Sequence, residues 1–542
     1  MVSPATDSTM GSSADTVDVF RDLLRLQKLH LSMTHYIGII TVILFLSFLY
    51  KFGPPRMDPR EPPILKPRIP LVGHIVGLAR HGVDYFDSLR KSQGPNAAPP
   101  STLPMLNGKV YVLSDVHLIH AAMRSKTLTF DSLGLDFSQH VFGVSNHDMD
   151  LLYGGPEHDV EKSIMQPLMH SIKSAMQGER LARMSDKALR YVAGQLNAVD
   201  DQGWRMSNLY LGLRDFMTMA TAEGLWGEGN PVRMDPSLID AIWDFETNMQ
   251  PLFLGVVPSI IARTAVTARE KVIAALTPWY AARKDEASDV SQLVKTRASM
   301  FREYGFLESM GRMEAPLYFV STTNTIPTLY WFFSYIFLRP ELVDRIRLEA
   351  TQLVILTEKH GRRSATMDVS KAADSCPLLV SCYREAIRLG NQAVGTRRVI
   401  HDTVITDNTG ASYLLKAGAD VMWSVKGLHM STEAWGENAA EFDPERFLDY
   451  EKFDRLKKQH YMPFGGGKHL CPGRNFAMTE LLGFVAALTV GFEVQGLDEA
   501  NFRLGSSGMG YAVAKPPADA EGGAVTIKRK KGWEDVEWNF VI

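Results

Sequence analysis

Cysteine is scarce in this chain: Cys376, Cys382 and Cys471 are the only three among 542 residues. That scarcity excludes a disulfide-stapled scaffold and suits a reducing compartment. No glycine-rich phosphate fingerprint of the Rossmann or flavin kind occurs, so the sequence offers no dinucleotide-binding motif of its own. An excess of one charge is also missing. The net charge is -3, which leaves no basic footprint for nucleic acid, and none is expected as a partner. Internal repeats are absent as well. What is abundant is apolar content, 45% of residues, enough for a large core in one unusually big domain or two ordinary ones.

Two long runs lack Asp, Glu, Lys and Arg. The first, 29–50, covers 22 residues and ends in a strongly apolar stretch; about 20 such residues cross a bilayer. It is read as a transmembrane helix after a polar lead over 1–28. Lys51, Arg56, Arg60, Lys66 and Arg68 follow among many prolines, and such a basic flank stays on the cytosolic side. Residues 51–70, with prolines at 54, 55, 59, 62, 63, 67 and 70, are read as a stiff extended hinge. Beyond it, 71–542 is expected to be one mainly α domain with small β-sheets.

The second run, Ala315–Leu338, is 24 residues long, but Ser321-Thr322-Thr323-Asn324-Thr325 and then Pro327 stand at its centre. Those polar groups suit a helix through a protein core that passes a polar site, and lipid would penalise them. Pro327 lacks an N–H and its ring crowds the carbonyl four residues back, so the helix is expected to open at Thr323.

Cys471 lies in Phe464-Gly465-Gly466-Gly467-Lys468-His469-Leu470-Cys471-Pro472-Gly473, just before an apolar helical pattern. Backbone N–H groups at a helix N-terminus stabilise a thiolate, and a thiolate is an axial ligand for haem iron. Glycines such as Gly467 and Gly473 let the backbone lie close to a flat macrocycle, and Phe464 can shield the sulfur.

Phe-x-x-Gly-x-x-x-Cys-x-Gly resembles the haem-ligand signature of the cytochrome P450 family, with Cys471 in the ligand position. Glu385-Ala-Ile-Arg388 resembles that family's Glu-x-x-Arg, and Asp443-Pro-Glu-Arg446 supplies the second arginine, so the resemblance implies a buried Glu385-Arg388-Arg446 network behind a haem b. Arg397 resembles the propionate-binding arginine, with Arg398 adjacent. His469 stands where many relatives carry an arginine, and no clear Trp-x-x-x-Arg appears at 158–162.

Within the central helix the family pattern is Ala/Gly-Gly-x-Asp/Glu-Thr-Thr. Val320 and Ser321 take its small positions, Thr323 the acid position and Asn324 the alcohol position. An amide donates a hydrogen bond but does not readily give up a proton, so Asn324, Thr323 and Thr325 are the candidates for handling oxygen and protons in an altered way. Asn324-Thr-Ile-Pro327 with Trp331, Tyr461-Met-Pro-Phe464, Gly255-Val-Val-Pro258 and Ala268-Arg-Glu-Lys271 resemble the branch holding cholesterol 7α-hydroxylase, sterol 12α-hydroxylase and prostacyclin synthase.

The resemblance implies a monooxygenase of the endoplasmic reticulum membrane that oxidises a bulky lipophilic substrate, steroid-like or terpenoid. Electrons would come from NADPH through NADPH-cytochrome P450 reductase. Arg455, Lys457, Lys458, Lys468 and Arg474 are candidates for its docking face. A haem-thiolate isomerase that rearranges a lipid peroxide without reductase is the alternative. Substrate contacts are expected in 130–144, 253–261, 317–327, 392–396 and 508–511.

Overall fold

The computed structural model describes residues 38, 40–42 and 57–542, save 68–72, 94–98, 106–107, 156–162, 256 and 506–510. Most of the proposed transmembrane run therefore lies outside the described residues, and among those described no helix is long and apolar enough to cross a membrane. The polar lead, the hinge before Met57, the 158–162 region and 508–510 also fall outside.

Helices dominate, and each long one is cut where the local chemistry changes. The Leu209–Trp226 helix starts at Asn208, whose side chain accepts from the Leu211 N–H, and stops at Gly227 with φ 73; a left-handed position of this kind favours glycine. Its residues are apolar almost all round, and it packs against Gly178–Asn197 and the central helix, as a helix hydrophobic on every side must. The Pro377–Gly390 helix carries Pro377 in its first turn, where the missing N–H costs nothing.

The strands form small sheets at the periphery. The largest has the order Ser101–Met105, Gly108–Val112, Asp420–Ser424, Val394–Val399, Leu128–Thr129. Residues 62–65 of the Pro-rich stretch run extended, as their prolines dictate, and join its edge: the Thr102 N–H donates to the Pro63 carbonyl at 2.8 Å and the Leu65 N–H to the Thr102 carbonyl at 3.0 Å. A hairpin of Val354–Lys359 and Arg362–Asp368 turns on His360 and Gly361, both at positive φ, the geometry a two-residue hairpin loop requires.

The central run folds as a helix through the core in two pieces, Met310–Thr322 and Thr325–Phe337. The break falls at Thr323 and Asn324, where Pro327 cannot supply the N–H that Thr323 would have bonded. Trp331 in the second piece donates its indole N–H to the Ala514 carbonyl at 2.7 Å, so the segment at 511–515 is fastened to this helix.

The end of the Pro377–Gly390 helix is a junction. The Asn391 amide donates to the Pro463 carbonyl at 3.0 Å, just before the cysteine loop. Gln392 donates its backbone N–H to Ala512 and its side-chain amide to Gly505, at 2.8 and 3.0 Å. The chain entering the cysteine loop and the residues Gly505 and Ala512 are thus bonded to two consecutive residues.

Candidate haem-thiolate site

Gly465 and Gly467 lie at φ 72 and 63, so the loop doubles back and the Cys471 N–H reaches the Phe464 carbonyl at 3.0 Å. That closes a ring with the sulfur at its rim. Burial pushes the Cys471 thiol up, while the N–H groups of Gly473 and Arg474 and the Arg474 charge hold it down. A further bond from Arg474 Nη1 to the Cys471 carbonyl, 2.9 Å, fixes the start of the Arg474–Gly491 helix. Cys376 and Cys382 are fully buried, and burial pushes Cys376 up to about 12 and Cys382 higher still. Of the three sulfurs, Cys471 alone is only partly buried and is met by backbone donors.

Behind the loop, Glu385 and Arg388 are both fully buried and pair bidentately at 2.7 and 2.8 Å. Arg446 Nε adds a third bond to the Glu385 carboxylate at 3.0 Å, and the Asp443 N–H a fourth at 3.2 Å. Arg388 Nη1 donates to the carbonyls of His429 and Ala439. His429 was not singled out from the sequence, yet it is central. Burial first, then the Arg388 charge, depresses its imidazole to about 3. The neutral ring sits between the Arg388 carbonyl, 3.1 Å from Nδ1, and the Met462 N–H, which donates to Nε2 at 3.0 Å. Network and cysteine loop are therefore joined through one histidine that nothing local in the sequence distinguishes.

Arg397 and Arg398 part company. Arg398 is spent on Asp420, at 2.8 and 3.1 Å, and on Asp136. Arg397 is buried between the rings of Phe130 and Trp423, 5.8 and 5.5 Å from their centroids, and bonds only its neighbour's carbonyl among the described contacts. Phe130 also lies 5.6 Å from the His469 ring. His469 Nε2 is buried with no partner, and burial together with Arg397 depresses this imidazole to about 4. Asp131 acts on Arg397 through its charge only and stands 3.9 Å from His469 Nδ1; a buried guanidinium with no carboxylate in hydrogen-bond reach and a buried orphan imidazole nitrogen are what the anionic edge of a haem would satisfy. These residues fit the group, with Cys471 as the sulfur donor.

On the central helix, Val320 is 54% exposed and Asn324 is exposed too, one turn away on the same face, although Thr322 and Thr323 between them are buried. The two therefore form an unpacked strip on a helix whose other faces are buried. The hydroxyls of Thr323 and Thr325 are turned inward, donating to the carbonyls of Phe319 and Ser321 at 2.9 and 3.3 Å. The Asn324 side chain has no hydrogen bond among the described residues. The three candidates thus separate: Asn324 points into open space, and the two threonines are engaged with their own helix.

Lys173, Lys468 and Arg474 line a groove of about 350 Å³ beside the cysteine loop, together with Met176, Gln177 and Pro472. Lys468 and Arg474 belong to the expected docking cations; Arg455, Lys457 and Lys458 do not line this groove.

The chain matches the Cytochrome P450 family over residues 62–520. A "Cytochrome P450 monooxygenase" of Gibberella zeae (strain PH-1) is 34% identical over 90% of this chain and 92% of that protein. The "25-hydroxycholesterol 7-alpha-hydroxylase" of Rattus norvegicus is 26% identical over 56% of this chain and 74% of its own length. Among solved structures, "Retinoic acid bound cyanobacterial CYP120A1" superimposes with a TM-score of 0.64 at 19% identity, covering 88% of this chain and all of that one. A match running through most of the sequence, over a fold of helices around a cysteine loop, places the chain in the cytochrome P450 family, as an enzyme of its monooxygenase class.

Proposed function

We propose that this chain is a membrane-anchored monooxygenase that oxidises a bulky lipophilic molecule, steroid-like or terpenoid, with dioxygen. Its electrons come from NADPH through NADPH-cytochrome P450 reductase. The reading rests above all on Cys471, whose sulfur is met by two backbone N–H groups, and on the open face of the central helix that carries Val320 and Asn324. Haem b bound to that sulfur supplies the oxidising power to attack an unactivated C–H bond.

The residues divide the remaining work. Arg397 and His469 would hold the propionates, and Phe464, Gly467 and Gly473 shape the loop that carries Cys471. Glu385, Arg388 and Arg446 keep that loop fixed from behind. Asn324, at the helix break, holds water, oxygen or a polar substrate group with its amide; Thr323 and Thr325 complete the polar turn, their hydroxyls available once rotated off the helix carbonyls. The apolar run 29–50 and its basic flank support an endoplasmic reticulum anchor with the catalytic domain on the cytosolic face. The groove lined by Lys173, Lys468 and Arg474 supports an acidic flavoprotein as electron donor. The sterol hydroxylase among the relatives supports the substrate class.

Loss of the acid–alcohol pair at 323 and 324 favours one second reading, an isomerase that rearranges a lipid peroxide. Turnover assays with and without reductase separate the two. The monooxygenase requires NADPH and reductase; consumption of a hydroperoxide or endoperoxide in their absence overturns it. Asn324→Thr is expected to retain haem and to change the fraction of NADPH oxidation coupled to product. Unchanged coupling and an unchanged product profile remove Asn324 from the mechanism.

A further inference from the structure

Between the helix Asp131–Asp136 and Phe142 the backbone forms a π-turn, Phe137–Val141, in which the Phe142 N–H reaches the Phe137 carbonyl at 3.3 Å. Widened turns of this kind are uncommon, are often found at functional positions, and leave C-terminal carbonyls in need of donors. Two arginines from two other helices supply them. Arg269 Nη1, from Arg263–Ala281, donates to the Val141 carbonyl at 2.9 Å. Arg312 Nη1, from the first piece of the central helix, donates to the Phe142 carbonyl at 2.8 Å.

Glu270 joins the two. It accepts from Arg312 Nη1 and Nη2 at 3.0 and 2.8 Å and from Arg269 Nε at 2.9 Å. The chain leaves the turn at Gly143, φ 68, so close to Arg269 that a Cβ there would stand 3.0 Å from the guanidinium. The turn is therefore gripped on its backbone, by groups whose positions are set elsewhere.

What the turn carries is aromatic. Phe142 lies 5.3 Å from Phe245 and 5.9 Å from Phe319; Phe137 lies 5.8 Å from Phe253 and 6.2 Å from Phe319. Phe319 immediately precedes Val320 on the open face. At its other end the same segment begins with Phe130, against His469 and Arg397. The segment thus runs from the residues beside His469 to the helix that carries Val320; Phe142 anchors it in the core, while Phe130 is exposed and Phe137 half-buried.

We infer that Arg312, Arg269 and Glu270 are positioning residues that hold this aromatic wall in place for a bulky, rigid, apolar ligand. The inference rests on the haem-thiolate reading above and adds to it which side chains set selectivity for ligand size. None of the three reaches the haem site itself. With the clamp weakened, a bulky ligand must order the wall at its own cost, whereas a small one does not need the wall.

The test uses the haem-loaded enzyme and two ligands that coordinate the iron through an imidazole nitrogen: imidazole itself and clotrimazole, with its three aryl rings. Both are titrated by the Soret shift. For Arg312→Ala the affinity ratio of clotrimazole to imidazole is expected to fall about tenfold, the scale of losing a charge-assisted hydrogen bond, while imidazole binds as before. Arg312→Lys, which keeps the charge but not the fork, is expected to recover part of the loss. An unchanged or raised ratio overturns the clamp. Should Arg312→Ala fail to take up haem, Arg312→Lys and Glu270→Gln are read on the same ratio and an unchanged value overturns it equally. If the parent lacks the thiolate-type carbon monoxide band, the haem reading fails and the clamp with it; a parent with the band and indifferent variants sinks the clamp alone.

Discussion

Replacing Glu385 by alanine tests the frame of the molecule most directly. Its carboxylate accepts four hydrogen bonds, two from Arg388, one from Arg446 and one from the Asp443 N–H, and neither Glu385 nor Arg388 is reached by water. Removal leaves a fully buried guanidinium facing a void. Breaking a buried pair from one side costs about 3–5 kcal/mol, a large part of the ~5–15 kcal/mol that holds a typical protein folded.

Arg446→Ala removes one bond of the four and leaves the bidentate pair intact, so its cost is nearer ~1–3 kcal/mol. Arg183→Ala serves as a control, because its pair with Glu179 is open to water and such pairs contribute little. Urea denaturation of the three variants, followed by near-ultraviolet circular dichroism, and haem content after purification give the order. Glu385→Ala is expected to be the least stable and to lose haem, Arg446→Ala intermediate, and Arg183→Ala indistinguishable from the parent. A Glu385→Ala protein with the parent's midpoint and haem content refutes the clamp behind the site.

Two further outcomes are expected. His429 is depressed from its usual 6.5 to about 3, so the unfolded chain binds a proton there that the folded one refuses. Its contribution is full above pH 6.5 and is lost as pH falls toward 3, by about 1.4 kcal/mol per unit. His429→Gln should flatten the loss of stability between pH 6.5 and 5 relative to the parent; parallel curves would rule this out. Cys471→Ser should abolish the thiolate-type carbon monoxide band, whereas Cys382→Ala should leave it in place; a band that survives the first substitution removes the sulfur from the iron.

The parts legible in the sequence are those whose chemistry is local. A proline in an uncharged run locates a helix break within a residue or two, and Glu385 and Arg388 announce themselves by sharing a helix face. Glycines around Cys471 mark the doubling back of the loop. What escaped depends on partners far along the chain. His429 works only because Arg388 and Met462 converge on it, and Asn391 only because Pro463 passes nearby. Arg269 and Glu270 are visible as a family-like stretch, but their target, two carbonyls of a π-turn, has no signature, since a π-turn is selected by packing and not by propensity. Arg397 and Arg398 look alike in the sequence, and only the distant carboxylates of Asp420 and Asp136, which pair with Arg398, set them apart.

Asn391 and Gln392 give the two sides of the site a common origin. Because Pro463, just before the sulfur-bearing loop, and the carbonyls of Gly505 and Ala512 are bonded to adjacent residues at the end of one buried helix, any shift of that helix end carries both sets of contacts with it. Their separation is thereby tied to one covalent link and not to the packing of separate elements.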